Sequence, residues 1–426
     1  MAIVIIGAGY VGLPLAISFA KYHSVICYDI NKKRLEQLQK GYDFNQQHTK
    51  KEILKKKLTF TRDFDQLRNK DVYIITVPTP INSSNQPDLS MLQKASIMIG
   101  RLMKKKSIII YESTTYPGCT EEVCIPLLEK NSNLKYQKDF FVAYSPERVN
   151  PGDKINTLKN ITKIIGANDI QTLGKVKKLY QHICKSIYTV DTIKIAESAK
   201  VIENIQRDIN IAFVNELSVL FHKLNIPTNA VLKAASTKWN FHYYTPGLVG
   251  GHCISVDPYY LAYKAKEYNY VPKLILSGRK INESMGKYVA VEIQKILSKN
   301  RINIKTAQVA VLGFSFKENI PDIRNTKIIN IIKELQKQKI KIKVFDSVAS
   351  KDEVKEKYKI NLYNFKDLNK FKYDVIILAV AHKNFLKKIS YYNKFYKDNK
   401  NKIFVDIKNK YSNYDLLNNG YKYFQL

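Results

Sequence analysis

Ala2-Ile3-Val4-Ile5-Ile6-Gly7-Ala8-Gly9-Tyr10-Val11-Gly12 is the stretch that decides the fold. Its opening residues are apolar and mostly β-branched, the composition of a strand buried on both faces. A Gly-x-Gly-x-x-Gly turn follows and opens a helix predicted over 13–21. The next predicted strand ends at Asp29, twenty residues after Gly9. Strand, glycine turn, helix and acid at this spacing form a dinucleotide-binding unit. The glycines admit the tight turn and the close approach of a pyrophosphate, the helix N-terminus meets its charge, and the acid takes a ribose 2′-hydroxyl. An acid at 29 repels a 2′-phosphate, so the expected cofactor is NAD and not NADP. Gly7, Gly9, Tyr10, Val11, Gly12 and Asp29 are the cofactor residues of this unit.

The alternation continues outward. Predicted strands at 2–6, 24–29, 57–61, 71–77, 107–112, 140–145, 162–166 and 186–190 are separated by helical patterns, the signature of βαβ units. Ile195, Ala199, Ile202, Ile205, Ile209, Ala212, Phe213, Leu217 and Leu220 then recur at helical spacing with no proline or glycine between them. They predict an amphipathic helix over 194–224. Further helix is expected to 238, then an aromatic and glycine-rich loop up to Pro258, then helix again toward 300. Strands resume at 308–313, 341–346, 373–380 and 402–406. The expected architecture is α/β: two Rossmann-like parallel-sheet domains, 1–190 and 301–426, joined by a helical middle domain, 191–300, with a long central helix.

The 426 residues carry 70 Lys and Arg against 37 Asp and Glu, a formal charge of +33. Such an excess would suit a nucleic-acid binder. It is mostly lysine spread along the chain (Lys55-Lys56-Lys57, Lys104-Lys105-Lys106, Lys387-Lys388), so solvated faces that attract a polyanionic small substrate are expected, with no nucleic-acid partner. No apolar run reaches the roughly 20 residues that cross a bilayer, and no membrane insertion is expected. Met1 leads straight into a strand without a basic leader. The cysteines, Cys27, Cys119, Cys124, Cys184 and Cys253, form no CxxC pair. A cytoplasmic location is expected, with neither a disulfide framework nor a metal site.

Other segments carry chemistry. Gly250-Gly251-His252-Cys253, with Asp257 four residues on, reads as a loop whose glycines let the backbone approach a ligand and leave the thiol accessible. A thiolate there is a nucleophile, and the carboxylate can position water or a proton; a small buried cysteine is the structural alternative. Lys200 and Asn204, at i and i+4 on the long helix, can cradle an oxyanion, or else form a solvated face. Tyr144-Ser145-Pro146-Glu147-Arg148-Val149-Asn150 closes a strand, where open α/β sheets hold ligands, with Glu147 a base and Arg148 an anion partner. Thr79 and Thr114 lie at strand ends suited to loops over a nicotinamide. In the second α/β domain, Gly313-Phe314-Ser315-Phe316-Lys317 keeps only the first glycine of the turn. An aromatic beside a lysine suggests base stacking and phosphate pairing, hence a nucleotide-linked substrate; a hydrophobic strand end with a surface lysine is the alternative.

Together, the NAD fingerprint, the Gly-Gly-x-Cys-x-x-x-Asp loop and the Lys-x-x-x-Asn helix strongly resemble the UDP-glucose/GDP-mannose dehydrogenase family over essentially the whole chain. Ser145-Pro146-Glu147-Arg148-Val149-Asn150-Pro151-Gly152-Asp153-Lys154, Thr237-Lys238-Trp239-Asn240-Phe241 and Pro246-Gly247-Leu248-Val249-Gly250-Gly251-His252-Cys253 resemble the branch that oxidises UDP-N-acetylhexosamines. The resemblance implies four-electron oxidation, by NAD, of the sugar C6 hydroxyl of UDP-GlcNAc or UDP-GalNAc to the uronate, for surface polysaccharide. UDP-glucose or UDP-N-acetylmannosamine is the alternative substrate, and a non-catalytic nucleotide-sugar binder is the alternative of another class. The resemblance further implies that Cys253 forms a thiohemiacetal and a thioester, that Lys200 and Asn204 cradle the oxyanion, and that Glu147, Thr114 and Asp257 position water and act as bases. Substrate contacts are implied for Glu147, Arg148, Val149, Asn150, Lys200, Asn204, Tyr244, Gly250, Lys317 and Phe316, the last on uracil. Asp29 and Arg34 would hold the adenosine ribose, Thr79 and Thr114 would meet the cofactor, and Arg324 would approach its pyrophosphate. A homodimer through the long helix is implied as well. Thr115, Cys119, His242, Tyr243 and Ser255 depart from the branch's usual residues.

Overall fold

The first sheet is built from β1 (Ala2–Ile6), β2 (Ser24–Tyr28), β3 (Leu58–Thr61), β4 (Val72–Ile75), β5 (Ile108–Tyr111), β6 (Phe141–Tyr144), β7 (Thr162–Ala167) and β8 (Ser186–Val190), in the order β3-β2-β1-β4-β5-β6-β7-β8. The computed structural model describes residues 1–45, 47–149, 153 and 155–426. In β1, Ile3 and Ile5 pack into the core on one face of the sheet and Val4 and Ile6 into the core on the other. Burial on both faces is why the strand reads as a continuous apolar run. Every strand pair in this sheet is parallel except β6 and β7, which meet antiparallel through Ala143–Ala167 and Tyr144–Gly166. No helix lies in the described residues of the connection between them, so the chain returns directly instead of making a helical crossover.

The second sheet comprises β9 (Gln308–Leu312), β10 (Lys341–Phe345), β11 (Leu362–Tyr363), β12 (Val375–Leu378), β13 (Ile403–Asp406) and β14 (Lys422–Gln425). Its order is β11-β10-β9-β12-β13-β14, parallel throughout. Val309 and Val311 face one core and Ala310 and Leu312 the other. β11 and β14 were not expected. The first is too short to show a period, and the second, Lys-Tyr-Phe-Gln, is only half apolar. The predicted central helix is Ile193–Lys223. The further helix expected up to 238 is the shorter Thr228–Ala235, set off from the central one by Asn225 at a left-handed φ of 56° and by Pro227. Helices Asp257–Glu267, with Pro258 in its first turn, and Lys273–Lys299 follow.

The chain divides into two compact units, Met1–Asn204 with Val256–Val271, and Ile205–Ser255 with Pro272–Leu426. In each sheet the strand order reverses at one place, between β1 and β4 in the first and between β9 and β12 in the second. The carboxyl ends of the strands there flank the crevice where open α/β sheets bind ligands. No helix among the described residues is long and apolar enough to cross a membrane.

Candidate active site

In the first unit the glycines of the turn serve different ends. Gly7 has φ +104°, and a Cβ on it would stand 3.0 Å from Thr76 O. A Cβ on Gly12 would stand 1.8 Å from Gly7 O, so the helix can pack down on the turn only without a side chain there. Around Gly9 nothing lies within 4 Å of a Cβ position. Internal packing therefore does not require glycine at 9, and the close approach of a dinucleotide does. Asp29 accepts the Ala8 N–H at 2.7 Å and the Asn31 N–H at 2.8 Å while staying part-exposed. Arg34 Nε donates to Ala8 O at 3.0 Å, so acid and guanidinium grip the same residue of the turn. The open position at Gly9 and the accessible acid fit NAD.

The loops after β4 and β5 are stitched together beside this turn. Thr76 Oγ1 donates to Ile6 O at 2.9 Å, Ser113 Oγ to Val77 O at 2.7 Å, and Thr79 Oγ1 to Thr114 O at 2.7 Å. Tyr260 O–H donates to Thr79 O at 2.8 Å. Thr79 and Thr114 thus meet in one loop pair, as expected of residues at neighbouring strand ends.

Lys200 and Asn204 are buried, which overturns the reading of them as a solvated face. Asn204 Nδ2 donates to Asp257 Oδ2 at 2.5 Å. Burial pushes the Asp257 carboxyl up to about 6, against the opposing pull of the Lys200 charge and the Asn204 hydrogen bond. A carboxyl that exchanges its proton near neutral pH suits acid–base work. One turn earlier on the helix, the buried Glu197 accepts from Thr115 Oγ1, Gly118 N, Thr120 N and Thr120 Oγ1, and burial pushes it up to about 7. Sequence reading missed it. Glu197, Lys200 and Asn204 are spaced +3 and +4, so a polar stripe on one helical face was the available signal.

Glu147 turns back on its own loop, accepting the N–H groups of Arg148 at 2.7 Å and of Val149. Arg148, expected to hold a ligand anion, pairs within the chain: Nη1 donates to Thr162 O at 2.6 Å and Nη2 lies 2.9 Å from Glu203 Oε1. Val149 packs against the core, and Asn150 lies outside the described residues. Beneath this loop is a cluster that sequence reading did not single out. Fully buried Lys163 donates to Glu112 Oε2 at 2.5 Å and to Pro146 O at 2.9 Å, and Tyr180 O–H donates to Glu112 Oε1 at 2.5 Å. Burial pushes Glu112 up to about 7 despite the adjacent ammonium.

In the second unit Cys253 is exposed, whereas Cys27, Cys119, Cys124 and Cys184 are buried. The alternative of a small buried cysteine is excluded. The neighbouring glycines are also required by packing within the unit, which leaves no room for a side chain on either. A Cβ on Gly250 would stand 2.7 Å from Asn325 O, and one on Gly251, at φ +83°, 3.0 Å from the Phe316 ring. Asn325 Nδ2 donates to Gly251 O at 2.9 Å and to Ser255 Oγ at 2.7 Å, while Ser255 Oγ donates to Gly251 O at 2.8 Å. The cysteine loop is therefore sewn to the segment that carries Phe316 and Arg324. Arg324 Nη2 donates to Asp322 Oδ2 at 2.6 Å, so the residue expected at a pyrophosphate already carries a carboxylate partner. Phe316 and Lys317 stay part-exposed after β9, and Tyr244 is part-exposed in the loop that follows the helix Thr228–Ala235.

Comparison with known proteins adds an independent line. Models of the UDP-glucose/GDP-mannose dehydrogenase family match in three parts: the NAD binding domain over 1–184, the central domain over 194–284 and the UDP binding domain over 310–413. The chain is 49% identical over 385 residues to the UDP-N-acetyl-D-glucosamine 6-dehydrogenase of Salmonella typhi, covering 90% of each. It is 46% identical over 387 residues to the Pseudomonas aeruginosa protein of the same name, covering 90% of this chain and 91% of that one. The solved structure of a UDP-D-ManNAc dehydrogenase from Pyrococcus horikoshii superposes with a TM-score of 0.89 at 30% identity, covering 100% of this chain and 99% of that one.

Proposed function

The chain belongs to the UDP-glucose/GDP-mannose dehydrogenase family and is an NAD-dependent nucleotide-sugar dehydrogenase, and from that premise we propose that it oxidises the C6 hydroxyl of UDP-GlcNAc or UDP-GalNAc to the uronate. The observation that carries the N-acetylglucosamine reading is the gap in identity. Relatives named for that substrate stand at 49% and 46%, and the UDP-N-acetyl-D-mannosamine dehydrogenase of Pyrococcus horikoshii at 34% over the same kind of alignment.

NAD supplies the hydride acceptor for both oxidations. In the proposed sequence the Cys253 thiolate adds to the C6 aldehyde as a thiohemiacetal, whose oxidation leaves a thioester that water hydrolyses. The exposure of Cys253 supports this role. Lys200 and Asn204 stabilise the oxyanion of the tetrahedral species, and Asp257, Glu147 and Thr114 order water and move protons. Asp29 and Arg34 hold the adenosine side of NAD. Phe316 and Lys317 meet the UDP, Arg324 reaches the cofactor pyrophosphate, and Tyr244, Arg148, Val149 and Asn150 border the sugar. The reading assigns cofactor binding to 1–190, catalysis and pairing into a homodimer to 191–300, and nucleotide-sugar binding to 301–426, with the uronate destined for surface polysaccharide.

A panel of UDP-sugars scored for NADH and product mass tests it. UDP-GlcNAc or UDP-GalNAc is expected to give two NADH per uronate and a kcat/KM well above that of UDP-glucose. Comparable kcat/KM for UDP-glucose or UDP-ManNAc would overturn the substrate assignment, and one NADH per product would overturn the thioester route.

A further inference from the structure

The two sheets carry the same turn after their first strand and close it differently. Gly7 N donates to Tyr28 O at 2.8 Å and Gly313 N to Phe345 O at 2.7 Å, and both glycines are left-handed, at φ +104° and +94°. Each turn is capped by an acid just past the neighbouring strand: Asp29 on Ala8 N, Asp346 on Phe314 N at 2.7 Å and Ser315 N at 3.1 Å. Asp29 stays part-exposed, whereas Asp346 is buried. Besides those two amides, Asp346 accepts Val348 N at 2.7 Å and Ala349 N at 2.9 Å, and His382 Nε2 lies 3.1 Å from its Oδ2. A carboxylate has about four lone-pair sites, so Asp346 has no acceptor left for a ribose hydroxyl.

His382 reaches it from just past β12, across the place where the strand order reverses. The buried ring also spans the turn itself. Its Nε2 lies 3.2 Å from Ser315 Oγ, and its Nδ1 accepts the Asn319 N–H at 2.8 Å. A backbone N–H can only donate, so Nδ1 is bare and Nε2 carries the proton. Ser315 Oγ donates to Lys317 O at 2.9 Å, and Asn319 Oδ1 accepts the Lys383 N–H at 3.0 Å. Serine, histidine and aspartate meet here without forming a nucleophilic triad, because Ser315 and Asp346 share one ring nitrogen, where a triad places them on opposite ones. The helix that follows begins only at Ile328, so the turn has no helix end to set its shape.

We propose that His382 is a positioning residue for the nucleotide-sugar: it clamps Ser315 and Asn319 at the two ends of the turn and so fixes how Phe316 and Lys317 are presented. The second domain thereby reads its nucleotide through the shape of this turn, in place of the ribose-binding acid that the first domain keeps open. This rests on the assignment of Phe316 and Lys317 to UDP.

The test measures UDP binding to the full chain by calorimetry, and KM for UDP-GlcNAc and for NAD, in His382→Leu, His382→Asn, His382→Gln and Lys317→Ala, with circular dichroism to confirm folding. His382→Leu is expected to weaken UDP and raise the UDP-sugar KM about tenfold or more, with the NAD KM within about twofold. His382→Asn, which can still accept the Asn319 N–H, is expected to recover part of the loss. Should His382→Leu not fold, the Asn and Gln variants carry the comparison. Folded His382 variants that bind UDP like the native chain while Lys317→Ala does not would overturn the clamp and leave the assignment standing. An equal rise in both KM values would also overturn it. Unchanged UDP binding in Lys317→Ala would instead overturn the assignment of the turn.

Discussion

Asn204 donates its side-chain N–H to the carboxyl of Asp257 at 2.5 Å, with both residues buried. The pair joins a helix face to the first turn of another helix, and its hydrogen bond, with the Lys200 charge, favours the ionised Asp257 against burial. Burial raises that carboxyl from 3.8 to about 6, so the folded chain holds its proton more tightly than the unfolded chain does. The sign follows: this group's contribution to stability is greatest below about pH 4 and falls as pH rises through about 6, by at most roughly 3 kcal/mol. Asp257→Asn is expected to flatten that part of the pH dependence, measured by urea unfolding of both proteins at pH 4.5 and 7.5. Asn204→Leu removes a bond that favours the carboxylate, so the acid limb of kcat/KM is expected to move to higher pH while kcat falls about 10²-fold. An unmoved limb would detach Asp257 from proton transfer.

Gly9 and Gly12 separate binding from folding. At Gly9 a methyl group finds open space, so Gly9→Ala is expected to keep its melting temperature within a few degrees and lose most NAD affinity. At Gly12 the methyl group would stand 1.8 Å from Gly7 O, so Gly12→Ala is expected to distort or unfold the first unit. Thermal melts with and without NAD distinguish the two, and native affinity in Gly9→Ala would refute the assignment of the turn.

Cys253 is the exposed cysteine among four buried ones. Brief treatment of the native chain with iodoacetamide is expected to add one carbamidomethyl group, located at Cys253 by peptide mass, and to abolish turnover. Cys253→Ala is expected to bind NAD and UDP-sugar and form no covalent species, and Cys253→Ser to stall after little NADH. Full turnover by Cys253→Ala would end the thioester proposal.

Lys163 and Glu112 neutralise each other in a fully buried setting. Lys163→Met would leave the buried Glu112 carboxyl without its partner and force it to take up a proton, and is expected to cost up to about 3–5 kcal/mol in chemical denaturation. Adding Glu112→Gln should recover much of that loss. Strictly additive losses in the double variant would mean the two groups are not coupled.

The sequence alone determined what depends on local spacing. The strand, the glycine turn, the acid at 29 and the central helix follow from periods of two and 3.6 and from a fixed interval between glycine and acid, and these hold wherever the segment lies in the fold. The family resemblance likewise rests on contiguous motifs. The structure alone decided burial and partnership. It showed Cys253 exposed, Lys200 and Asn204 buried, the room at Gly250 and Gly251 taken by Asn325 and Phe316, and Arg148 paired with Glu203. Glu112 with Lys163, Asn204 with Asp257 and Ser315 with His382 meet across 51, 53 and 67 residues of chain. No periodicity links residues so far apart. Their contacts arise when strand crossovers and helix packing bring distant segments together, and burial then makes each unpaired polar group costly enough to demand its partner.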